Sequence, residues 1–255
     1  MRHIGLFEGI GGFPLAARWM GWKTIAWCEL NPFCQKILRR HFPEAEGHGD
    51  IKVTDFKKYA NRIDILTGGD PCQPHSKAGK RKGKSDDRYL WPEMLRAIRE
   101  IKPRWVVNEN VRNSINTGLL DQKIRDLENE GYACWPPLLI PSGAKGIHER
   151  YRFWLVAYSN ENADSNQSRK IHGKTRESQE EKQRENGEWV RPEFRSILTE
   201  YNWQEIASKF CGDINGISRR LDRNGAIGNA IDPTIVYEIF KAIELTEMKI
   251  QQQTK

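Results

Sequence analysis

Asp64-Ile-Leu-Thr-Gly-Gly-Asp-Pro-Cys-Gln-Pro-His-Ser76 is the stretch from which the organisation of the chain can be worked out. The apolar pair Ile65 and Leu66 predicts a short buried strand, which breaks at the two glycines that follow. Cys72 stands between prolines, so its thiol is held in a stiff loop at the end of that strand. Ligands of an open α/β sheet gather at the carboxyl ends of its strands. Cys72 is therefore a candidate reactive residue, although a lone cysteine is more often a small buried side chain.

A glycine-rich turn lies upstream, in the segment His3-Ile-Gly-Leu-Phe-Glu-Gly-Ile-Gly-Gly12. It joins a predicted strand to a predicted helix over 13–20, for which Gly21 is a suitable C-cap. The glycines would let backbone N–H groups approach a ligand at the helix start, although their spacing departs from the dinucleotide fingerprint. The next strand, over 23–29, ends in Glu29, where an acidic group commonly reaches ribose hydroxyls. This pattern indicates a nucleoside cofactor, and a tight turn without a ligand is the alternative.

Strands and helices continue to alternate as far as about residue 158. Asn31 and Pro32 predict the N-cap and first residue of a helix through about residue 40. Asp50 would close a third strand, where on pattern alone it is a turn residue, and Glu109 lies near the end of a fifth strand. This alternation predicts an α/β fold with a doubly wound, mostly parallel sheet. The remaining elements are predicted helices over 91–101 and 119–130, and strands over 105–111, around 133–140 and around 152–158.

The composition changes at about residue 159. Residues 160–188 are polar and almost without apolar side chains, which predicts a disordered or weakly ordered insertion. Asp232 and Pro233 then predict the start of a last helix, which would run to about residue 249. Its apolar stripe would pack onto the first domain. We therefore expect a main domain over 1–158, a short inserted region over 159–215, a C-terminal segment and helix over 216–249, and a tail over 250–255.

The charge of the 255-residue chain is a formal +7. A basic excess suits a polyanionic partner such as nucleic acid, and it also suits an ordinary solvated surface. The strongest basic run, over 77–88, directly follows the stretch that contains Cys72. Such a run is usually a solvated loop, and at this position it could instead close over a phosphodiester backbone.

Several classes of protein are excluded by composition. A mean hydropathy of −0.74 and the absence of any run near the ~20 apolar residues of a transmembrane helix exclude a membrane protein. The five cysteines are scattered without a Cys-x-x-Cys pair, which indicates neither a disulfide framework nor a zinc site. We expect a reduced, cytoplasmic protein without a metal.

Short motifs in a fixed order connect the chain to one family. They are Phe7-Glu-Gly-Ile-Gly-Gly12, Glu29, Asp50, Pro71-Cys72, Glu109-Asn110-Val111, Arg150-Tyr-Arg152 and Gly228-Asn229-Ala230. In this order the chain resembles the cytosine-C5 DNA methyltransferases over its whole length except about 159–215. The nucleophile motif is similar to the family's Pro-Cys-Gln-Pro-Phe-Ser, with His75 in place of Phe. His148 stands where the family has Gln.

The resemblance implies a class I S-adenosylmethionine methyltransferase fold in which 159–215 is a small target-recognition insertion. It implies transfer of a methyl group from S-adenosyl-L-methionine to C5 of a cytosine in duplex DNA, with S-adenosyl-L-homocysteine as product. Cys72 would add to C6 of a flipped-out base. Glu109 would hydrogen-bond N3 and the exocyclic amine of that base, while Arg152, with Arg150, would supply positive charge.

The resemblance also implies which residues contact the cofactor and the DNA. Glu29 would bind the cofactor ribose and Asp50 its adenine. The complete cofactor set would be Phe7, Gly9, Gly11, Gly12, Glu29, Asp50, Ile51, Asp70, Trp91, Asn229 and Ala230. The DNA contacts would be Gln73, Ser76, Lys77, Lys80, Arg81, Lys82 and Lys84. We expect a monomer that acts on duplex DNA, with a cognate restriction endonuclease as a second partner.

Other functions remain as alternatives. A catalytically silent DNA-binding protein could keep the same fold, but it would have no need of Cys72, Glu109 and Arg152 together. An amino-methyltransferase usually carries Asp/Asn-Pro-Pro-Tyr/Phe at the fourth strand, where this chain has Gly-Asp-Pro-Cys. A thiol redox enzyme would need a second cysteine near Cys72.

Overall fold

The computed structural model describes residues 1–71, 89–141, 151–159 and 230–253. Strands and helices alternate through these ranges as the sequence predicts. The strands are β1 (Arg2–Leu6), β2 (Lys23–Cys28), β3 (Glu46–His48), β4 (Ile65–Gly68), β5 (Trp105–Val111), β6 (Tyr132–Cys134), β7 (Leu138–Pro141) and β8 (Tyr151–Ser159). The helices are α1 (Gly12–Trp19), α2 (Pro32–His41), α3 (Trp91–Ile101), α4 (Asn113–Asn116), α5 (Leu119–Asn129) and α6 (Pro233–Gln253), with a 3-10 turn over Lys57–Tyr59.

The strands of the described ranges form one sheet in the order β3-β2-β1-β4-β5-β8-β6, with β7 paired to β8. The pairs from β3 to β5 are parallel, whereas β8 runs antiparallel to β5, β6 and β7. The mixed α/β fold and the mostly parallel, doubly wound sheet are therefore confirmed. The strand order reverses between β1 and β4, which is the kind of switch point where open α/β sheets bind ligands.

Some predicted boundaries were wrong. The strand expected around 133–140 is two strands, β6 and β7, because Pro136 and Pro137 lie between them and cannot donate to a ladder. The third strand ends at His48 instead of at Ile51. Asp50 lies beyond that end, in a turn where its Oδ1 accepts a hydrogen bond from the Lys52 N–H at 2.9 Å. The sequence also did not predict α4 or the 3-10 turn.

Two hydrophobic clusters cover the two faces of the sheet. Alternate residues of β5 point to opposite clusters: Val106 packs with α3 and α5, while Trp105 and Val107 pack with α1 and α6. This alternation follows from the two-residue period of a strand. The sheet is therefore buried on both faces, and its edge at the carboxyl ends of β1, β2, β4 and β5 is left to form a site.

Helix α6 packs back onto the main domain, as predicted. It lies against α1, and its apolar stripe is almost fully buried in the cluster of that face. Two tryptophans of the main domain also donate hydrogen bonds to it: Trp105 to Glu247 at 2.7 Å and Trp22 to Glu244 at 3.1 Å. The buried stripe consists of Ile235, Val236, Ile239, Phe240 and Ile243.

None of the helices that the structure describes has the length and apolar character needed to span a bilayer. Within the same ranges, no group of three or more His, Cys, Asp or Glu side chains could hold a metal ion.

Candidate active site at the carboxyl edge of the sheet

The glycine-rich turn after β1 makes a sharp bend that opens its backbone toward the site edge. Phe7, Gly9 and Gly11 have positive φ angles of 57°, 55° and 94°. A side chain at Gly12 would place its Cβ 2.5 Å from the Ile231 carbonyl oxygen, so this position requires glycine. At Gly9, by contrast, the space where a Cβ would lie has no atom within 4 Å. The turn is thus closed on its inner side by the segment before α6 and leaves open space at Gly9.

Glu29, at the end of β2, is joined to this turn by its carboxylate. Its Oε2 accepts a hydrogen bond from the Gly9 N–H at 2.7 Å, and its Oε1 accepts one from the Asn31 N–H at 2.7 Å. Gln35 of α2 donates to the Glu29 carbonyl at 2.7 Å. The carboxylate therefore links the turn after β1 to the start of α2. Contact of Glu29 with ribose hydroxyls stays a prediction.

Asp50 and Ile51 follow β3, the next strand outward. Ile51 is buried, and its carbonyl accepts a hydrogen bond from the Arg96 guanidinium at 2.6 Å. The Cys28 thiol at the end of β2 donates to the Gly49 carbonyl at 3.2 Å, which ties the ends of the two strands together. Burial raises the pKa of this thiol to about 12, so Cys28 is inert. The predicted cofactor residues of three neighbouring strands therefore meet at one edge.

Glu109 and Arg152 form an ion pair on the next part of this edge. The Arg152 Nε lies 2.8 Å from the Glu109 Oε1, and each side chain is largely buried. They meet because β8 runs antiparallel to β5 and places Arg152 opposite Val111. A Cβ at Gly69 would lie 3.0 Å from the Glu109 Oε2, so the missing side chain at Gly69 makes room for this carboxylate. The pair therefore lies beside the backbone that leads into Pro71 and Cys72.

Asp70 and Trp91, both predicted to contact the cofactor, point into the core. Asp70 is 3% exposed and its Oδ1 lies 2.5 Å from the Lys123 Nζ. Trp91 is 1% exposed and its Nε1 donates to Asp126 at 2.8 Å. Both side chains thus have partners inside the protein, and cofactor contact by either one stays a prediction. Ala230 precedes Ile231, which touches both Gly12 and Gly69, so the C-terminal segment does return to this edge.

A number of predicted site residues lie outside the described ranges, and so do residues 160–215 of the inserted region and 216–229 of the C-terminal segment. They are Cys72, Gln73, His75, Ser76, Lys77, Lys80, Arg81, Lys82, Lys84, His148, Arg150 and Asn229. Their roles stay predictions.

Three buried polar residues near the site were missed by the sequence analysis. His3 is buried between the Thr24 and Thr67 hydroxyls, at 3.1 and 2.8 Å, and burial lowers its pKa to about 3. Glu8 is 1% exposed and lies over Gly5, where a Cβ would fall 1.5 Å from the Glu8 Oε1. Burial, with a smaller contribution from the charge of Glu29, raises the pKa of Glu8 well above its ordinary value.

Lys123 is the third of these residues, and it is completely buried. A signal for it does exist in the sequence, since Lys123 falls at helical spacing in line with Leu120, Ile124 and Leu127 of the buried face of α5. A lysine on the apolar stripe of a helix predicts a buried partner of opposite charge.

The comparisons with known proteins concern the family and the fold of the chain. The model of the family "C-5 cytosine-specific DNA methylase" matches residues 1–218. The chain is 36% identical over 167 residues to the Type II methyltransferase M.Eco47II of Escherichia coli, covering 63% of this chain and 40% of that protein. It is 34% identical over 167 residues to M.NgoMIV of Neisseria gonorrhoeae, covering 62% of this chain and 52% of that protein. The chain thus spans about half the length of the curated relatives that it matches.

Solved structures share the fold. The S. pombe Dnmt2 methyltransferase superimposes with a TM-score of 0.51 at 20% identity, covering 70% of this chain and 57% of that chain. A Spodoptera frugiperda DNMT2 mutant gives a TM-score of 0.51 at 21% identity, covering 64% of this chain and 51% of that chain. At these identities the likeness shows the fold alone.

Proposed function

The chain belongs to the C-5 cytosine-specific DNA methylase family, and on this premise we propose that it transfers a methyl group from S-adenosyl-L-methionine to C5 of a cytosine in duplex DNA. The observation that carries the proposal is the Glu109–Arg152 pair, whose atoms lie 2.8 Å apart beside the strand end that leads into Cys72. A carboxyl, a guanidinium and a thiol are the groups that addition to a pyrimidine requires, and the first two are held together here.

The site edge fits the proposed cofactor. Gly9 has a positive φ of 55° and open space where a side chain would be, so its backbone can be approached closely. The Glu29 carboxylate lies next to it at the end of β2 and can accept hydrogen bonds from hydroxyl groups. Phe7, Gly9, Glu29 and Asp50 would hold the nucleoside and amino-acid parts. When bound, S-adenosyl-L-methionine supplies a sulfonium methyl group that a carbon nucleophile can attack.

The chemistry of cytosine explains why the chain needs these residue types. C5 is a poor nucleophile until a nucleophile adds to C6. In the proposed reaction the Cys72 thiolate forms a bond to C6, the electron pair of the C5–C6 double bond moves to C5, and C5 takes the methyl group. A base such as a water molecule then takes up the C5 proton, and the electron pair of that C–H bond restores the double bond and expels the thiolate. The base must leave the duplex for this to happen.

Glu109 and Arg152 would act on the charge that addition creates. Negative charge develops at N3 and O2 of the ring when sulfur adds to C6. Glu109, carrying a proton in the complex, would donate to N3 and accept from the exocyclic amine, and Arg152 would donate at O2. Because the pair is already formed and largely buried, the groups need little rearrangement when the base enters.

Duplex DNA is the proposed partner, contacted by the basic run over 77–84. The curated relatives are named Type II methyltransferases. A cognate restriction endonuclease is therefore part of the proposal, and a monomer is the expected form.

The test is methyl transfer from labelled S-adenosyl-L-methionine to mixed unmethylated DNA, followed by base-resolution mapping of 5-methylcytosine. We expect label at C5 of cytosine in a short recurring context. Cys72→Ala should abolish transfer while DNA binding remains, and Glu109→Gln should retain some activity. Full turnover by Cys72→Ala would rule out the covalent mechanism. Bound cofactor and DNA without any label would favour the silent DNA-binding protein.

A further inference from the structure

A buried ion pair lies directly beneath the candidate active site. The Lys123 side chain is 0% exposed and that of Asp70 is 1% exposed, and the Lys123 Nζ lies 2.5 Å from the Asp70 Oδ1. The ammonium group also lies 4.8 Å from the centre of the Trp91 ring. Taking both charges out of water is costly, and replacing such a pair by apolar side chains is often neutral or stabilising. Stability alone therefore does not account for this pair.

One carboxylate oxygen of the Lys123–Asp70 ion pair also lacks a hydrogen-bond donor among the described residues. The Asp70 Oδ2 is buried and has no hydrogen-bond partner among the residues that the structure describes. A buried carboxylate oxygen without a donor weakens the folded state. If the ion pair served stability alone, we would expect a hydrogen-bond donor to the Asp70 Oδ2.

Lys123 contacts side chains that form hydrogen bonds just beyond the last backbone pair of β4 and β5. The β4–β5 ladder ends at Gly68 and Asn108. Lys123 donates to the Asn108 Oδ1 at 2.8 Å, which turns the Asn108 Nδ2 toward the Gly68 carbonyl at 2.9 Å and the Asp70 Oδ1 at 2.8 Å. The ammonium group thus acts together with the Gly68 and Asp70 acceptors, because a flipped Asn108 amide would lose all three hydrogen bonds.

A second amide completes the connection. The Asn110 Nδ2 donates to the Asp70 carbonyl at 2.8 Å and to the Asp70 Oδ1 at 3.3 Å. Its Oδ1 accepts from the Val111 N–H at 2.8 Å and from the Ser114 hydroxyl at 3.2 Å. Through these bonds Asp70 is held by both its backbone and its side chain, two residues before Cys72 in the sequence.

Glu109 stands between Asn108 and Asn110 and points to the other face of β5. There it pairs with Arg152 and lies beside Gly69. The short stretch directly after β4 therefore lies beside Glu109 at Gly69 and contacts Lys123 through Asp70. A shift of that stretch would change the separation between Glu109 and the residues that follow Pro71.

We propose that the buried Lys123–Asp70 ion pair is a positioning device that fixes the end of β4 relative to Glu109, so that Cys72 and Glu109 act on the same base. This inference rests on the proposed function. Lys123 and Asp70 are positioning residues that act through the backbone of Gly69 to Pro71.

The test is the double variant Asp70→Asn/Lys123→Met, which removes both charges and leaves a neutral amide of the same shape. Single-turnover methyl transfer, KM for DNA, cofactor affinity and thermal unfolding are measured on the full chain beside the wild type. We expect a midpoint within a few degrees of the wild type, a KM for DNA within about 3-fold, and a rate of transfer at saturating cofactor at least about 30-fold lower. A purely structural pair would change the midpoint and leave the rate of the folded protein unaltered.

The matched control is Glu247→Gln, which removes a buried charge at the amino end of β5, where Glu247 accepts from Trp105 and pairs with Arg104. It should lower the unfolding midpoint without lowering the transfer rate. If the double variant does not fold, Asp70→Asn alone is assayed in the same way, with the same loss expected.

The outcomes separate the two proposals. A wild-type rate in the folded double variant, or in folded Asp70→Asn, overturns the positioning role and leaves the proposed function intact. A wild-type protein that transfers no methyl group overturns the proposed function and this inference with it.

Discussion

At the scale of single residues, the burial of polar side chains affects their hydrogen bonding and their pKa values. Glu8 is enclosed over Gly5, and Glu29 is held by two backbone N–H groups, although both carboxyls lie in or beside the same turn. Glu29 accepts hydrogen bonds from the Gly9 and Asn31 N–H groups. The oxygens of Glu8 have no hydrogen-bond partner among the described residues, and burial raises the pKa of Glu8 well above its ordinary value. Two neighbouring carboxyls thus differ in their hydrogen bonding because of their surroundings.

Glu8 gives the protein a pH-dependent stability. Its pKa is raised above the ordinary 4.5, so the folded state holds a proton that the unfolded chain loses as the pH rises. The free energy of unfolding therefore falls from pH 4.5 up to the raised pKa. His3 acts in the opposite direction, since its pKa is lowered from 6.5 to about 3 and its contribution to stability is lost as the pH falls through that range. The two effects oppose each other between pH 4.5 and 6.5.

We predict that Glu8→Gln removes the decline in stability that begins above pH 4.5, so that stability rises more steeply with pH between 4.5 and 6.5 than in the wild type. Urea denaturation at a series of pH values would measure it, with Glu44→Gln, at an exposed glutamate, as the control that keeps the wild-type slope. An unchanged slope in Glu8→Gln would show that Glu8 is not protonated in the folded protein.

Arg152 is predicted to contribute to the rate of methyl transfer. Replacing it with Met leaves the Glu109 carboxylate without the guanidinium at 2.8 Å. We expect kcat to fall by roughly 10²-fold, the effect of removing one preorganised donor. Steady-state methyl transfer measures this, and Arg99→Met, which breaks the exposed Arg99–Glu130 pair, should leave kcat unchanged. Equal loss in both variants would contradict a specific role for Arg152.

At the scale of elements, the start of helix α2 is hydrogen-bonded to the carboxyl edge of the sheet. Helix α2 begins with Pro32, and the Asn31 Oδ1 accepts from the Phe33 N–H at 2.9 Å and from the Cys34 N–H at 3.5 Å. The Asn31 N–H in turn donates to Glu29. The cap that begins the helix and the carboxylate proposed to bind ribose are therefore one hydrogen-bonded unit.

We predict that Asn31→Ala destabilises the protein by about 1 kcal/mol, the usual effect of losing an N-cap acceptor. It should also weaken cofactor binding, because the backbone donor to Glu29 becomes less well placed. Asn31→Ser keeps an acceptor and should stay near the wild type in both respects. Urea denaturation and calorimetric titration with S-adenosyl-L-methionine measure the two effects. Unaltered stability in Asn31→Ala would mean that the cap contributes nothing to the fold.

At the scale of the whole molecule, the C-terminal helix completes the main domain. Helix α6 packs its apolar stripe onto α1 and the sheet, and Ile231 just before it contacts Gly12 and Gly69. Glycines at these two positions allow the segment to reach both the glycine-rich turn after β1 and the end of β4. The site therefore depends on a segment that lies more than 150 residues beyond those turns in the sequence.

We predict that Phe240→Ala destabilises the protein by about 4 kcal/mol, because Phe240 is fully buried and stacks on Trp22 at 4.6 Å between ring centres. Met248→Ala, on an exposed part of the same helix, should change stability by less than about 0.5 kcal/mol. Urea denaturation of both variants tests this, and similar losses would show that α6 is not docked through its apolar stripe.

The sequence by itself determined the kind and order of most elements. Asn31 with Pro32, Asp232 with Pro233, and the glycine after Met20 mark helix ends through contacts within a few residues, so local chemistry is enough to place them. Glu29 and Glu109 could be recognised as site candidates for the same reason, because each lies at or near a strand end. The motif order was sufficient to identify the family.

Only the tertiary structure decided which residues meet. The antiparallel entry of β8 brings Arg152 to Glu109, and no local pattern specifies the direction of a strand that pairs 40 residues away. Whether Lys123 and Glu8 are buried depends on which faces of helix and sheet come together. A charged side chain can remain inside only where an opposite charge balances it, or where a bound proton neutralises it. The pairing of strands and the exclusion of water from the core are properties of the whole fold. Together they determine which side chains meet at the site and which of them are buried.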